Sequence, residues 1–218
     1  MTVFALDFDG VLCDSAVETG VSGWRAATAI WPEMKGLDPP GNVLQRYREL
    51  RPYLETGHQS MALVRIAFLE VEKRRSPLPP GTGSKEVVEI MNEMYREAGW
   101  DRERLIHLFG RTRDEWIRKD LDDWLARNSF YKSTPEALCR LRDRGHVRIV
   151  STKQERFILA LLRRESIAFP PQDVFGLGRG LAKEAILAGF LTDPETGAPR
   201  TVHFVEDRLQ TRKRVDAR

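Results

Sequence analysis

The chain has 218 residues, of which 41% are hydrophobic and 31% are charged, and its formal net charge at pH 7 is +3. This is the composition of a soluble globular protein that can bury a core in one large or two smaller domains, and no apolar stretch is long enough to span a bilayer. Basic side chains alternate with acidic ones along predicted helices, as on a solvated helix face, so we predict binding to neither nucleic acid nor a membrane.

The first predicted element is a short strand that ends in two aspartates. The apolar run at 3–6 directly precedes Asp7 and Asp9. A continuous apolar run is typical of a strand that is buried on both faces, as in a parallel sheet covered by helices. Ligands of such sheets bind at the carboxyl ends of the strands. We therefore predict that both aspartates lie at the ligand-binding edge of a sheet.

Residues 15–130 are predicted to be almost wholly helical. Apolar residues recur every three or four positions in the segments 42–55, 58–75 and 84–99, which is typical of amphipathic helices. Stretches rich in proline and glycine separate these segments and favour turns. Because the region follows the first strand directly, we expect a helical insert, or cap, that stands over the strand ends.

From residue 131 onward, predicted helices and strands alternate. Helices are expected at 134–146, with Thr134 as the N-cap, and then at 154–166 and 182–191; strands are expected at 147–150, 173–177 and 202–205. Such alternation predicts a parallel sheet with right-handed crossovers. We therefore predict an α/β, Rossmann-like core formed by residues 1–14 and 131–218, with a helical cap domain at 15–130.

The two cysteines give no sign of a disulfide framework or a zinc site. Cys13 and Cys139 lie far apart and belong to no CxxC pair. The first strand begins at about Thr2, which leaves no room for a targeting segment. We expect a cytoplasmic protein.

Polar side chains follow two of the later strands, and one begins a helix between them, at the same predicted edge of the sheet. They are Ser151, Thr152, Lys153, Lys183, Glu206 and Asp207. Carboxylates in such an arrangement are suited to Mg²⁺, which prefers oxygen ligands. A hydroxyl and an ammonium group can bind the oxygens of a phosphoryl group, and a carboxylate can attack its phosphorus. The residue types together favour phosphoryl-transfer chemistry.

The same residues also permit structural roles. Ser151 and Thr152 precede a predicted helix, where a hydroxyl commonly caps the helix. Lys153 is expected to be an exposed charge at the rim. Glu206 is as compatible with an exposed acid, or with one that supports a ligand, as with direct metal binding. These alternatives stay open on the residue types alone.

Four motifs in this order resemble the haloacid dehalogenase (HAD) superfamily of hydrolases with a helical cap inserted after the first motif. They are "DFDGVL" at 7–12, "VRIVSTK" at 147–153, Lys183, and "VHFVED" at 202–207. The resemblance extends over nearly the whole chain. It departs from the family at Thr211, where many capped members have a second acid four residues after the last motif.

The resemblance implies a role for each site residue. Asp7 would be the nucleophile and Asp9 the general acid and base, and Ser151, with Thr152 as the alternative hydroxyl, would bind phosphate together with Lys183. The metal ligands implied are Asp7, the backbone carbonyl of Asp9, Glu206 and Asp207. The function implied is a Mg²⁺-dependent phosphomonoester hydrolase that acts on a small phosphorylated metabolite through an aspartyl-phosphate. A phosphomutase, or a degenerate HAD domain with a binding or regulatory role, remains the alternative.

The end of the chain leads to a further expectation. In the family, the strand of the last motif lies beside the first strand, with another strand outside it. The sequence ends at Arg218, shortly after Val202–Val205. We therefore expect Val202–Val205 to pair with Val3–Leu6 on one side only. An open strand edge favours pairing with another chain, so self-association is expected.

Overall fold

The computed structural model describes residues 2–216, which form two compact units. The helical unit is Ala16–Arg127, and the α/β unit consists of the described residues on either side of it. The chain leaves the α/β unit after Ser15 and returns to it at Asn128.

The helical unit is built from amphipathic helices, as its periodicity predicted. They are α1 (Ala16–Ala27), α2 (Gly41–Leu50), α3 (Ser60–Glu72), α4 (Ser84–Glu97), α5 (Arg102–Lys119) and α6 (Leu121–Ala126). Short 3₁₀ turns at Arg51–Tyr53 and Gly57–Gln59 separate α2 from α3. The apolar faces form one core in which Trp24, Met61 and Met91 are fully buried.

A buried glutamate connects three helices of this unit. Glu18 on α1 is completely inaccessible to solvent and accepts hydrogen bonds from the Ser22 hydroxyl at 2.7 Å and the Trp124 indole at 3.1 Å. The Arg113 guanidinium on α5 donates to both of its carboxylate oxygens, at 2.8 and 3.1 Å. A buried carboxylate requires such partners because its desolvation is costly. Glu18 thus fixes α1 against α5 and α6.

The α/β unit contains a parallel sheet, which confirms the predicted fold class. Its strands are β1 (Thr2–Leu6), β2 (Cys13–Asp14), β3 (Ser129–Phe130), β4 (His146–Val150), β5 (Val174–Phe175) and β6 (Thr201–Val205). Four of them form one sheet in the order β5-β4-β1-β6, and all its pairs are parallel. The short strands β2 and β3 pair antiparallel where the chain leaves and returns.

The strand β6 is at one edge of this sheet. It pairs with β1 in the register Phe4 beside His203 and Leu6 beside Val205, and the described residues place no further strand outside it. Pairing with β1 was predicted from the sequence. Self-association through this edge stays a prediction.

Helices follow the strands in the alternation that the sequence predicted. They are α7 (Thr134–Arg142), α8 (Glu155–Arg164), α9 (Lys183–Phe190) and α10 (Leu209–Asp216). On one face of the sheet, Ala5 and Val150 pack against Ile186 and Leu187 of α9. None of the helices described at 2–216 combines the length and the apolar character that crossing a bilayer requires.

The predicted N-cap of α7 is wrong by one residue. The helix begins at Thr134 itself and Ser133 is its N-cap. The Thr134 hydroxyl donates to the Leu12 carbonyl at 3.0 Å, and the Tyr131 backbone N–H donates to the same oxygen at 3.2 Å. The hydroxyl therefore fastens the returning chain to the turn after β1 instead of capping the helix.

Candidate active site

The first aspartate is held rigidly at the carboxyl end of β1. Asp7 is buried, and its backbone N–H donates to the Val205 carbonyl of the neighbouring strand at 2.9 Å. Its carboxylate oxygen Oδ1 accepts from the Phe8 backbone N–H at 2.8 Å. Because Phe8 itself is fully buried, the carboxylate has a fixed orientation at the edge of the sheet.

A tight turn brings a second acidic element against the loop after Asp7. The backbone N–H groups of Leu12 and Cys13 donate to the Phe8 carbonyl, and Gly10 has a φ of +84°. A Cβ atom at Gly10 would lie 2.1 Å from a carboxylate oxygen of Asp207. Only glycine fits here, because the backbone is left-handed and because the Asp207 carboxylate occupies the space of a side chain.

Three carboxylates meet at this point. Asp7, Glu206 and Asp207 each place one oxygen within 4.8 Å of the others, the only such group among the described residues. The Glu206 side chain is fully buried, and its Oε1 accepts from the Arg208 backbone N–H at 3.1 Å. Asp207 is exposed. The cluster therefore has two buried members and one that faces solvent.

A lysine lies between two of these carboxylates. Lys183, the first residue of α9, places its Nζ 2.9 Å from Asp7 Oδ2 and 2.7 Å from Glu206 Oε2. A cation is unfavourable at a helix N-terminus. The two buried carboxylates compensate for this position and hold the lysine between them.

Burial controls the protonation of the candidate nucleophile. Desolvation raises the pKa of Asp7 from 3.8 to about 6, although the neighbouring Lys183 ammonium acts in the opposite direction. The negative charge of Glu206 contributes further to the rise. A carboxylate in this environment is stabilised in its ionised form by additional positive charge.

The hydroxyl residues after β4 are placed differently from each other. Ser151 is buried, and its Oγ accepts from the Lys153 backbone N–H at 3.3 Å. The N-cap of α8 is Gln154 and makes no side-chain capping bond, so the capping alternative does not apply to Ser151. Thr152 is exposed. Since β4 lies beside β1, Ser151 is at the same edge of the sheet as Asp7.

The expectation that Lys153 is an exposed rim charge is wrong. Its side chain is only 5% exposed, and its Nζ donates to Asp9 Oδ1 at 3.0 Å. In the bend that follows β4, residues 151 and 153 are buried and residue 152 is exposed. No local pattern in the sequence identifies Lys153, because its burial goes with its bond to Asp9, which follows another strand.

Comparisons with known proteins find structural relatives only. No protein-family model matches the chain, and no curated protein matches its sequence. One similar structure is from Bacteroides fragilis and is described as a haloacid dehalogenase-like hydrolase. The match covers 99% of this chain and 83% of the Bacteroides fragilis chain, with a TM-score of 0.51 and 16% sequence identity. A second similar structure is a HAD-superfamily hydrolase from Geobacter sulfurreducens. The match covers 100% of this chain and 83% of the Geobacter sulfurreducens chain, with a TM-score of 0.49 and 18% sequence identity.

The likeness to the Bacteroides fragilis structure covers nearly the whole chain and determines the fold. The chain has the haloacid dehalogenase fold. The resemblance inferred from the four motifs is thereby confirmed at the level of the fold. At 16% identity, the activity must be argued from the residues of this chain.

The acidic cluster fits the divalent cation that a HAD fold implies. All its donor atoms are carboxylate oxygens, the ligands that Mg²⁺ prefers. Gly10 leaves room for the Asp207 carboxylate at the turn after β1. Asp7 and Glu206 are fixed by hydrogen bonds from backbone N–H groups. The predicted residues Asp7, Lys183, Glu206 and Asp207 thus form one cluster. Asp9, on the turn after β1, pairs with Lys153, which follows β4 at the same edge of the sheet.

Proposed function

We propose that the chain is a Mg²⁺-dependent phosphomonoester hydrolase that acts on a small phosphorylated metabolite through an aspartyl-phosphate. The observation that carries the proposal is the cluster at the end of β1. Three carboxylates have oxygens within 4.8 Å of one another, and the Lys183 ammonium lies between two of them. This arrangement combines a nucleophile, oxygen ligands for a cation and a positive charge for phosphoryl oxygens.

In the first half of the reaction, Asp7 and Asp9 have separate roles. A carboxylate oxygen of Asp7 attacks phosphorus, the P–O bond to the alcohol breaks, and an aspartyl-phosphate forms. Asp9 donates a proton to the departing alkoxide. Asp9 suits this role because it lies two residues beyond the nucleophile and its side chain is 21% exposed, so that it is accessible to solvent.

The second half of the reaction restores the enzyme. Asp9, now ionised, removes a proton from water as the water oxygen attacks phosphorus. The bond between phosphorus and Asp7 breaks, inorganic phosphate leaves, and Asp7 returns as a carboxylate. Lys183 and the Ser151 hydroxyl hold the phosphoryl oxygens and stabilise their charge in both transition states.

The metal would be held by Asp7, Asp207, the Asp9 backbone carbonyl and Glu206. When bound, Mg²⁺ supplies positive charge that offsets the charge of the phosphoryl oxygens and favours the ionised form of Asp7. The Lys183 ammonium already pairs with Glu206 at 2.7 Å. For this reason we assign the larger share of metal binding to Asp207.

The test is turnover of p-nitrophenyl phosphate with Mg²⁺ and with EDTA. We expect turnover that EDTA removes and that Asp7→Asn abolishes, since the amide keeps the shape but is no nucleophile. Asp143→Asn is the matched control, because Asp143 is an exposed aspartate of the same unit. Absence of turnover would favour a degenerate binding domain, and transfer of phosphate to a second hydroxyl in place of water would favour a phosphomutase.

A further inference from the structure

The pair formed by Lys153 and Asp9 is largely buried at its cationic end. The Lys153 side chain is 5% exposed, whereas that of Asp9 is 21% exposed, and Nζ lies 3.0 Å from Oδ1. An exposed ion pair of this kind would contribute little and would fluctuate. A buried ammonium, by contrast, is strongly disfavoured without its partner. The bond to Asp9 therefore stabilises the buried ammonium of Lys153.

The backbone of Lys153 is fixed from two sides. Its carbonyl accepts from the Leu177 N–H at 3.1 Å, and its own N–H donates to Ser151 Oγ at 3.3 Å. A Cβ at Gly176 would lie 2.4 Å from the Lys153 carbonyl oxygen, so glycine is required for this approach. The lysine thus extends from an immobile point toward the turn after β1.

The loop that contacts Lys153 is itself fastened to α8. The Glu155 carboxylate accepts from the backbone N–H groups of Gly176 and Gly178, at 3.2 and 3.1 Å. These bonds connect the end of β5 to the first turn of the helix that follows Lys153. The support of the ammonium therefore involves two neighbouring strand ends, β4 and β5, and one helix.

We propose that Lys153 is a positioning residue that holds the Asp9 carboxylate in the orientation required for proton transfer to the leaving group. The inference rests on the proposed function. A general acid must come within about 2.6–3.2 Å of the atom that it protonates. With Oδ1 held by Nζ, the position of one oxygen of the Asp9 carboxylate is restricted, and small displacements of such groups reduce rates strongly. Lys153 acts through Asp9 and does not itself transfer the proton.

The test compares two esters that differ in their need for a proton. Phenyl and p-nitrophenyl phosphate have similar shapes, but p-nitrophenolate departs readily without protonation whereas phenolate benefits from it. In Lys153→Met we expect kcat/KM for phenyl phosphate to fall at least about tenfold more than for p-nitrophenyl phosphate, within the 10²–10⁴-fold attributed to a whole general acid. KM should change little, because Lys153 is assigned no contact with the phosphoryl group.

Three further variants sharpen the test. In an Asp9→Asn background, Lys153→Met should have no additional effect on the ratio of the two esters, since the group that it positions is gone. Lys153→Arg should keep the ratio near that of the unaltered protein. Lys153→Gln, whose amide retains a hydrogen-bond donor, replaces Lys153→Met if the methionine variant does not fold. Its ratio of the two esters should lie between that of Lys153→Met and that of Lys153→Arg. Lys132→Met, at an exposed lysine of the same unit, is the control.

The possible outcomes separate the two proposals. An unaltered protein without phosphatase activity overturns both. An active protein in which Lys153→Met leaves the ester ratio unchanged overturns the positioning role alone. Equal losses for both esters, with a raised KM and weaker inhibition by inorganic phosphate, would show instead that Lys153 binds the substrate phosphate, which also overturns it.

Discussion

Asp7→Asn should stabilise the protein while abolishing its activity. The carboxylate of Asp7 is buried, and desolvation raises its pKa from 3.8 to about 6. A difference of one unit between the pKa values of the folded and unfolded states corresponds to about 1.4 kcal/mol of stability. Ionised Asp7 therefore disfavours the folded state by about 3 kcal/mol at pH 7. Asparagine carries no charge, and that penalty is absent. The value is an upper limit, because the amide loses part of the bonding of the carboxylate.

The pH dependence of this effect has a definite sign. A folded pKa above the unfolded value means that the folded state holds its proton more tightly, so its relative stability is greatest below pH 3.8 and falls as the pH rises through about 6. At pH 5, below the folded pKa, the penalty is therefore only about half as large. The stabilisation by Asp7→Asn should decrease from pH 7 to pH 5.

The assay is urea unfolding in EDTA at both pH values, followed by circular dichroism. Because the two units can unfold separately, the transition of the α/β unit must be resolved before a free energy is assigned. Adding Mg²⁺ should stabilise the unaltered protein more than the variant, since the cation favours the ionised carboxylate. A variant that is less stable at pH 7, or equally affected at both pH values, would refute the reasoning.

Three further predictions concern the metal, the helical unit and its histidine. Asp207→Ala should raise the Mg²⁺ concentration needed for half-maximal activity more than Glu206→Ala does; the reverse order in a Mg²⁺ titration would mean that the stronger ligand is misassigned. Glu18→Ala removes the buried carboxylate to which Arg113 and Trp124 donate and should lower the free energy of unfolding by about 3–5 kcal/mol, whereas Glu89→Ala, at an exposed position of α4, should change it little in thermal unfolding. Burial and a neighbouring arginine lower the pKa of His58 from 6.5 to about 4. The stability that neutral His58 contributes is therefore complete above pH 6.5 and is lost as the pH falls toward 4. His58→Gln should flatten the pH dependence of the free energy of unfolding in that range.

The fold and the acidic cluster could be predicted because their signals are local. Apolar strands followed directly by acids or hydroxyls identify the carboxyl edge of a parallel sheet, and Asp7, Glu206 and Asp207 were singled out in this way, whereas Lys183 was singled out at the start of a predicted helix. The parallel pairing then brings together residues far apart in sequence, as when Val205 accepts from the Asp7 N–H at 2.9 Å. The positions of the strand ends were therefore sufficient to predict the parallel sheet and the acidic cluster.

Other features depend on partners that no local pattern specifies. Glu18 reads as an exposed residue in the first turn of a helix, yet it is completely buried because Arg113 and Trp124 reach it from about a hundred residues away. Lys153 reads as a surface charge until the turn of β1 places Asp9 beside it. In both cases the long-range ion pair determines the burial of the residue.

The residues that carry the proposed chemistry are those that break local rules. Lys183 puts a cation at a helix N-terminus, and Asp7 and Glu206 bury carboxylates within reach of each other. Ionised Asp7 disfavours the folded state. A bound phosphoryl group and a cation would explain the positions of Asp7, Lys183 and Glu206, because these two ligands would complete the arrangement of charges. Proteins accept such local conflicts mainly at functional sites, and this is an argument for function that does not depend on any relative.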